Sequence, residues 1–310
     1  MHERELVIEA GGHRLSGTVC LPAQAGRYPV VLMVHGSGPL DRNENMRGQR
    51  LDIFNTIAHR LARGGFASVR YDKRGCGKST GSYATASHSD FVRDALAWVD
   101  HLAHEPFAHG AIMLLGHSEG TIVAPRVALD RPHVRGLVLL CPTVTDFETV
   151  LLRQADHVEA EIARVPGVQG KLLRLYTTLV GKPSKRQREL IARIRASRTP
   201  TLRIGLQTFE AAWLRELLEL DLPPLLAAVR CPMLVVAGTK DVQCDPEDAR
   251  RIAAQNPLAE AHVIDDLTHI LRRDTGAPGL FGYEQLLRQP VDAQLLELIA
   301  GWLERQQLAR

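Results

Sequence analysis

Ser118 is the residue of this chain best placed to act as a nucleophile. It stands in Gly116-His117-Ser118-Glu119-Gly120, between the apolar run Ile112–Leu115 and the helix-compatible Thr121–Ala124. A G-x-S-x-G turn between strand and helix is a nucleophile elbow. It lifts the hydroxyl clear of a sheet on a strained backbone, with glycines where side chains would collide. The amide of Glu119 then opens a helix and faces any oxyanion formed on an attacked carbonyl. A second match, Gly77-Lys78-Ser79-Thr80-Gly81, follows charged, glycine-broken sequence and leads into Ser82-Tyr83-Ala84-Thr85. With no strand before it and no helix directly after, it lacks the elbow's context, which selects Ser118.

A serine hydroxyl needs a base, and the base needs an orienting carboxylate. Elbow sheets carry these in the chain order Ser, acid, His. Downstream of Ser118 stand His133, His157, His262 and His269. His133 precedes a strand at the wrong edge, His157 lies in a helical stretch and His262 lies within a strand. His269 follows the last strand in the loop Asp265-Asp266-Leu267-Thr268-His269, on the edge shared with the elbow, and is the expected base. Asp241 follows a buried strand on that same edge and is the expected acid, with Asp245 and Asp146 in reserve. Asp245-Pro246-Glu247-Asp248 reads as a helix start, with Asp245 as N-cap.

These groups must be carried by a sheet. The segments Glu5–Glu9 and His13–Leu21 alternate around Gly11-Gly12 as a hairpin. Pro29–Val34 is a continuous apolar run, the mark of a strand buried on both faces. It ends in His35-Gly36-Ser37-Gly38-Pro39, a glycine-rich loop at the end of a strand, where such sheets place their ligands. This loop is expected to supply the second oxyanion donor, by the amide of Ser37, with Gly36 and Gly38 also possible. Strands are further expected at Phe66–Tyr71, Val134–Leu140, Pro232–Ala237 and Ala261–Ile264. Helices are expected at Leu51–Arg63, Ser89–His104, Pro246–Gln255 and Asp292–Gln307. Alternating strands and helices make a mostly parallel, doubly wound sheet. The rhythm breaks at about 145–228, where helical stretches (Phe147–Arg164, Gly170–Val180, Arg186–Ala196) occur without a convincing strand. That length is too great for a loop and reads as an inserted helical cap.

The 310 residues are 45% apolar, enough for a full core. A net charge of +3 does not imply nucleic acid by itself. The tail Gly77-Lys78-Ser79-Thr80 invites a P-loop reading, but Asp72 stands where that motif needs glycine. Five scattered cysteines without C-x-x-C suggest neither a zinc site nor a disulfide framework. A charged start and the lack of an apolar run of ~20 residues favour a cytoplasmic protein without a membrane span. In the cap, the run from Lys182 to Arg203 carries eight cations against Glu189. Without aromatic interleaving it reads as a solvated face, and no nucleic acid is expected.

Together these residues resemble the α/β-hydrolase superfamily, and more narrowly bacterial serine esterases and S9/S33-type hydrolases. The resemblance rests on the His35–Pro39 loop with Asp41-Arg42-Asn43-Glu44 after it, the loop Tyr71–Ser79, the elbow, Gly238-Thr239-Lys240-Asp241 and Thr268-His269. It implies an α/β-hydrolase core over 1–144 and 229–310 with a lid over 145–228. It implies Ser118, His269 and Asp241 as catalytic triad, the amides of Ser37 and Glu119 as oxyanion hole, and no metal or organic cofactor. Two departures stand out. Thr121 replaces a frequent small glycine, which would narrow the site, and Asn43 replaces a common aspartate.

The activity implied is hydrolysis of small or medium carboxylic esters. A peptidase or amidase would need an acidic anchor for an amino group, for which Glu119 and Glu44 are candidates. A noncatalytic binding protein on the same fold is the rival from outside catalysis. Phe209 and Trp213 are the cap residues expected to line a pocket over the serine. Oligomeric state has no signature in the sequence.

Overall fold

The computed structural model describes residues 1–276, 279 and 283–308. The chain opens with β1 (His2–Ala10), β2 (His13–Leu21) and β3 (Tyr28–Val34), then α1 (Ile53–Arg63), β4 (Ala67–Tyr71) and α2 (His88–Leu102). Next come β5 (Ala108–His117), α3 (Gly120–Asp130) and β6 (Val134–Leu140). Between β6 and the next strand of the main sheet lie α4 (Phe147–Arg164), α5 (Gly167–Val180), α6 (Pro183–Ala196), β7 (Leu202–Ile204), β8 (Gln207–Phe209), α7 (Ala211–Glu219) and α8 (Leu222–Ala227). The chain closes with β9 (Met233–Gly238), α9 (Glu247–Gln255), β10 (Ala259–Ile264), α10 (Tyr283–Leu286) and α11 (Ala293–Leu308).

Eight strands form one sheet in the order β1-β2-β4-β3-β5-β6-β9-β10. β1–β2 and β2–β4 pair antiparallel and the other neighbours pair parallel. The central parallel strands β3, β6 and β9 carry continuous buried apolar runs, Val30–Val34, Leu137–Leu140 and Met233–Ala237, because both faces of the sheet are covered there. In β3, Val30, Leu32 and Val34 enter the core beneath α2 and α3, while Val31 and Met33 enter the core beneath α1 and α11. The amphipathic spacing of α1 does the covering on the second side, burying Ile53, Phe54, Ile57, Ala58, Leu61 and Ala62. On the first side α2 starts at a capping box in which Ser87 and Asp90 exchange backbone bonds.

In the inserted stretch α5 and α6 each start three residues earlier than expected, at Gly167 and Pro183, and strands occur where none was expected. Residues Leu202–Ile204 and Gln207–Phe209 pair as a short antiparallel hairpin apart from the main sheet. Three-residue strands leave too short an alternation to be visible in sequence. The exit of β6 is pinned by Asp248, fully buried on α9, which accepts bonds from Thr143 Oγ1, the Val144 amide and both the amide and hydroxyl of Thr145. Among the described residues, no helix is long and apolar enough to cross a membrane.

Candidate active site

β5 ends at His117 and α3 starts at Gly120, leaving Ser118 at a φ of 51° in the left-handed region. That strain is held by packing. A Cβ on Gly116 would lie 2.2 Å from the Gly120 oxygen, and one on Gly120 would lie 2.1 Å from the Val34 oxygen. Neither approach is open to a side chain. The Ser118 amide donates to the Leu140 oxygen at 2.9 Å, tying the turn to β6. Thr121 does not narrow the site: its hydroxyl turns back to the Ser118 carbonyl at 2.6 Å and is absent from the lining of the cavity described below.

The structure brings Ser118, His269 and Asp241 into one hydrogen-bonded chain. His269 Nε2 lies 3.0 Å from Ser118 Oγ, and His269 Nδ1 lies 2.8 Å from Asp241 Oδ2. The second oxygen of Asp241 accepts the amides of Gln243 and Cys244 at 2.8 and 2.9 Å. Burial pushes the Asp241 carboxyl up, but the facing imidazole and these two amides outweigh it and hold the group below its ordinary value. An ionised Asp241 keeps a proton on Nδ1 and leaves Nε2 free to accept one from the serine. The reserve acids are engaged elsewhere. Asp146 caps α4 through the Thr149 amide, and Asp245 accepts the Glu247 amide and pairs with Arg153. α9 begins one residue later than expected, at Glu247. Ser79 is spent on structure: its hydroxyl donates to the Asp72 carbonyl and accepts the Ser16 amide.

The loop after β3 sits against the elbow so closely that a Cβ on Gly36 would be 3.3 Å from Ser118 Cβ. The amide of Gly36 donates to Glu44 Oε1 at 2.7 Å, and that of Gly38 donates to the Tyr83 hydroxyl at 3.0 Å. Among the described residues no acceptor takes the amides of Ser37 or Glu119. Two free N–H groups beside a serine hydroxyl are the makings of an oxyanion hole.

Two buried ion pairs flank this loop, and the sequence did not single them out as pairs. Glu44 Oε2 meets His117 Nδ1 at 2.8 Å, and His117 Nε2 donates to the His269 carbonyl at 2.9 Å. Burial works against both charges. Their mutual attraction wins, lowering the Glu44 carboxyl and raising the His117 imidazole. On the other side Lys73 Nζ meets Glu119 Oε2 at 2.9 Å, and Trp213 Nε1 donates to Glu119 Oε1 at 2.6 Å. The run Asp41–Glu44 therefore braces the loop. Asp41 accepts the amides of Asn43 and Asn45, Arg42 clasps Asp72, and Asn43 accepts a bond from Arg70 Nε.

Ser118, His269, Ser37 and Glu119 line a cavity of about 290 Å³ roofed by Phe147, Val150, Leu151 and Trp213 from the inserted stretch. Trp213 thus borders the cavity that contains Ser118. Phe209 is absent from the lining of this cavity: it packs with Ile194, Ala211 and Leu214 and borders an adjoining groove between α4, α5 and α6 that shares Leu151 and Gln154 with it. It sits at the end of the unforeseen hairpin, which turns it away. Among the described residues, two clusters have donor spacing compatible with a metal, Glu3/Cys20/His59 and Cys141/Asp241/His269. In the first, Glu3 is already paired with Arg70 and His59, and burial pushes the Cys20 thiol up to about 11. The second shares Asp241 and His269 with the chain to Ser118. In the basic run, Lys182, Lys185 and Arg195 pair with Glu159, Glu189 and Glu148.

The family model described as "Serine aminopeptidase, S33" matches residues 45–276, three quarters of the chain. The chain belongs to this family. Esterase EstD of Thermotoga maritima is 24% identical over 292 residues, 93% of this chain; the chain spans 65% of the length of that relative. Among solved structures, ferulic-acid-bound Est1E from Butyrivibrio proteoclasticus superposes with a TM-score of 0.64 at 17% identity, covering 98% of this chain and 100% of that one. Proline iminopeptidase from Mycobacterium smegmatis gives 0.64 at 16% identity, covering 99% of each chain. At such identities these likenesses speak for the fold. The α/β-hydrolase fold expected from the sequence is the fold observed.

Proposed function

We propose that this protein hydrolyses carboxylic esters with small or medium acyl groups through a Ser118–His269–Asp241 triad. The observation that carries the reading is the unbroken chain from Asp241 through His269 to Ser118, opening into an apolar-walled cavity. His269 Nε2 takes the Ser118 proton as Oγ attacks the ester carbonyl, and the amides of Ser37 and Glu119 receive the oxyanion. Collapse expels the alcohol, protonated by His269, and leaves an acyl-serine. Water, deprotonated by the same imidazole, then releases the acid. Residues 145–228 act as a lid on the core formed by 1–144 and 229–310, with Trp213 as one wall of the acyl pocket.

The peptidase reading favoured by the family's description needs a carboxylate for a substrate ammonium. Both candidates are occupied: Glu44 by His117 and the Gly36 amide, Glu119 by Lys73 and Trp213. The name of the relative EstD agrees with an ester substrate. Five unpaired cysteines suit a reducing, cytoplasmic setting.

The test is a panel of p-nitrophenyl esters of rising chain length beside aminoacyl p-nitroanilides, with fluorophosphonate labelling. Esters should turn over, the label should sit on Ser118, and Ser118→Ala should lose ~10⁶ in kcat with its fold intact. A label on Ser79, or anilides cleaved in preference to esters, overturns the assignment.

A further inference from the structure

Lys73 stands just beyond β4 and is only 4% exposed. Its Nζ donates to two groups, the Gly36 carbonyl at 2.8 Å and Glu119 Oε2 at 2.9 Å. The Phe91 ring centre lies 4.3 Å from the ammonium. Such a placement is costly to fill unless the charge is compensated, and the Glu119 carboxylate compensates it. Nothing in the proton transfers of the triad uses this lysine.

What it grips is informative. The Gly36 carbonyl and the Ser37 amide are the two ends of one peptide group. That group is planar and trans, so its C=O and N–H point in opposite directions. Lys73 sits in a small pocket behind the loop with His35, Phe91 and Val123, whereas Gly36, Ser37 and Ser118 line the catalytic cavity. An ammonium drawing the carbonyl backward therefore aims the Ser37 N–H forward, toward the serine. Among the described residues, Lys73 Nζ is the one donor to that carbonyl. A cation at the C=O end also draws electron density through the peptide and makes its N–H a stronger donor. The second contact of Lys73 fixes the side chain of Glu119, the residue whose amide is the other free donor.

We infer that Lys73 is a positioning residue for the oxyanion hole: one buried ammonium ties the Gly36–Ser37 peptide to Glu119 and sets both donors before charge develops. Oxyanion stabilisation depends on such preorganisation, because a donor already aimed costs no reorganisation at the moment of reaction. This rests on the assignment of Ser118 as nucleophile. It adds that the loop Tyr71–Ser79, no residue of which lines the catalytic cavity, influences turnover.

Removing the ammonium alone leaves the Glu119 carboxylate buried without its cation, held by Trp213, so Lys73→Met is compared with Lys73→Met/Glu119→Gln and with Glu119→Gln alone. The double variant should fold and lose roughly 10- to 100-fold in kcat with KM within about 3-fold, since a misaimed donor costs less than the 10²–10³ of a deleted one. A trifluoromethyl ketone, which forms an oxyanion on the serine, should lose affinity by the same factor as kcat. Wild-type kcat in the double variant, or a loss confined to KM, overturns the proposal. A crystal structure of the double variant gives a readout independent of any substrate. The Gly36–Ser37 peptide should be rotated or split between orientations, and an unchanged peptide overturns the proposal. Failure of Ser118 to take a fluorophosphonate in the wild-type protein would instead sink the esterase reading and leave the peptide test standing.

Discussion

Two apolar helices of this protein have opposite fates. α3, which follows Ser118, buries Ile122, Val123, Ala124 and Val127 among others. α5, in the inserted stretch, buries only Gly170 and leaves Val168, Leu172, Leu175, Tyr176 and Leu179 exposed, the last at 77%. Apolar composition does not separate them; neighbours do. α3 is wedged against β3, β5, β6, α2 and α8, while α5 rests on α4. The first kind of surroundings holds Ser118 in a left-handed turn with the Gly36 loop packed against it. The second leaves a face whose packing is incomplete within the chain and which can change without disturbing the chemistry.

The largest expected effect lies on the rigid side. Asp241→Asn keeps the fold but leaves His269 in the wrong tautomer, so kcat for an ester should fall by about 10⁴. Asp245→Asn, four residues on, should cost no more than about 1 kcal/mol of stability in denaturant titration, through the lost ion pair with Arg153. The reverse pattern would move the acid to Asp245. Leu32→Ala, in the fully buried centre of β3, should destabilise by about 2–5 kcal/mol in the same measurement.

The Glu44–His117 pair gives the comparison a pH axis. Folding lowers the Glu44 carboxyl below its usual 4.5, so this share of stability is present above that value and fades as pH falls through the lowered one. Folding raises the His117 imidazole above 6.5, so its share is present below that value and fades as pH rises through the raised one. Glu44→Gln should therefore cost on the order of 1–3 kcal/mol, most between about pH 4.5 and 6.5 and less at alkaline pH. A Tm difference from wild type that does not vary with pH would show that the pair is not ionised.

Effects should shrink toward the insertion. Trp213→Ala should change the ratio of kcat/KM between short and long acyl esters by ~10-fold, as expected of a pocket wall. Equal losses across the series, with a fall in Tm, would make Trp213 a packing residue alone. Leu179→Ser, on the exposed face of α5, should shift stability by no more than about 0.5 kcal/mol. A loss like that of Leu32→Ala would mean that α5 is covered in solution and would close the gap between the two helices.

The reading of sequence into structure divides along the same line. Strands such as Pro29–Val34 and the elbow at Gly116–Gly120 were legible because each is written within about ten residues, in apolar runs and glycines at fixed spacing. Asp241 and His269 were legible because sheet topology delivers strand ends to one edge, so chain order alone places them. Phe209 was misplaced because the hairpin that redirects it has strands of three residues, too short to show a period.

By itself, then, the sequence determined the alternation that builds the doubly wound sheet, the turn that strains Ser118, and the edge where His269 and Asp241 must arrive. Tertiary structure alone decided which buried partners surround them. Lys73 grips a carbonyl 37 positions away and a carboxylate 46 positions away, and His117 bridges Glu44 to the carbonyl of His269, 152 positions on. Ion pairs of this kind have no local pattern, since a charged residue in a loop looks the same whether it meets water or a buried partner. Only the folded register of β3, β4 and β5 brings the partners within 3 Å and excludes the water that would otherwise screen them.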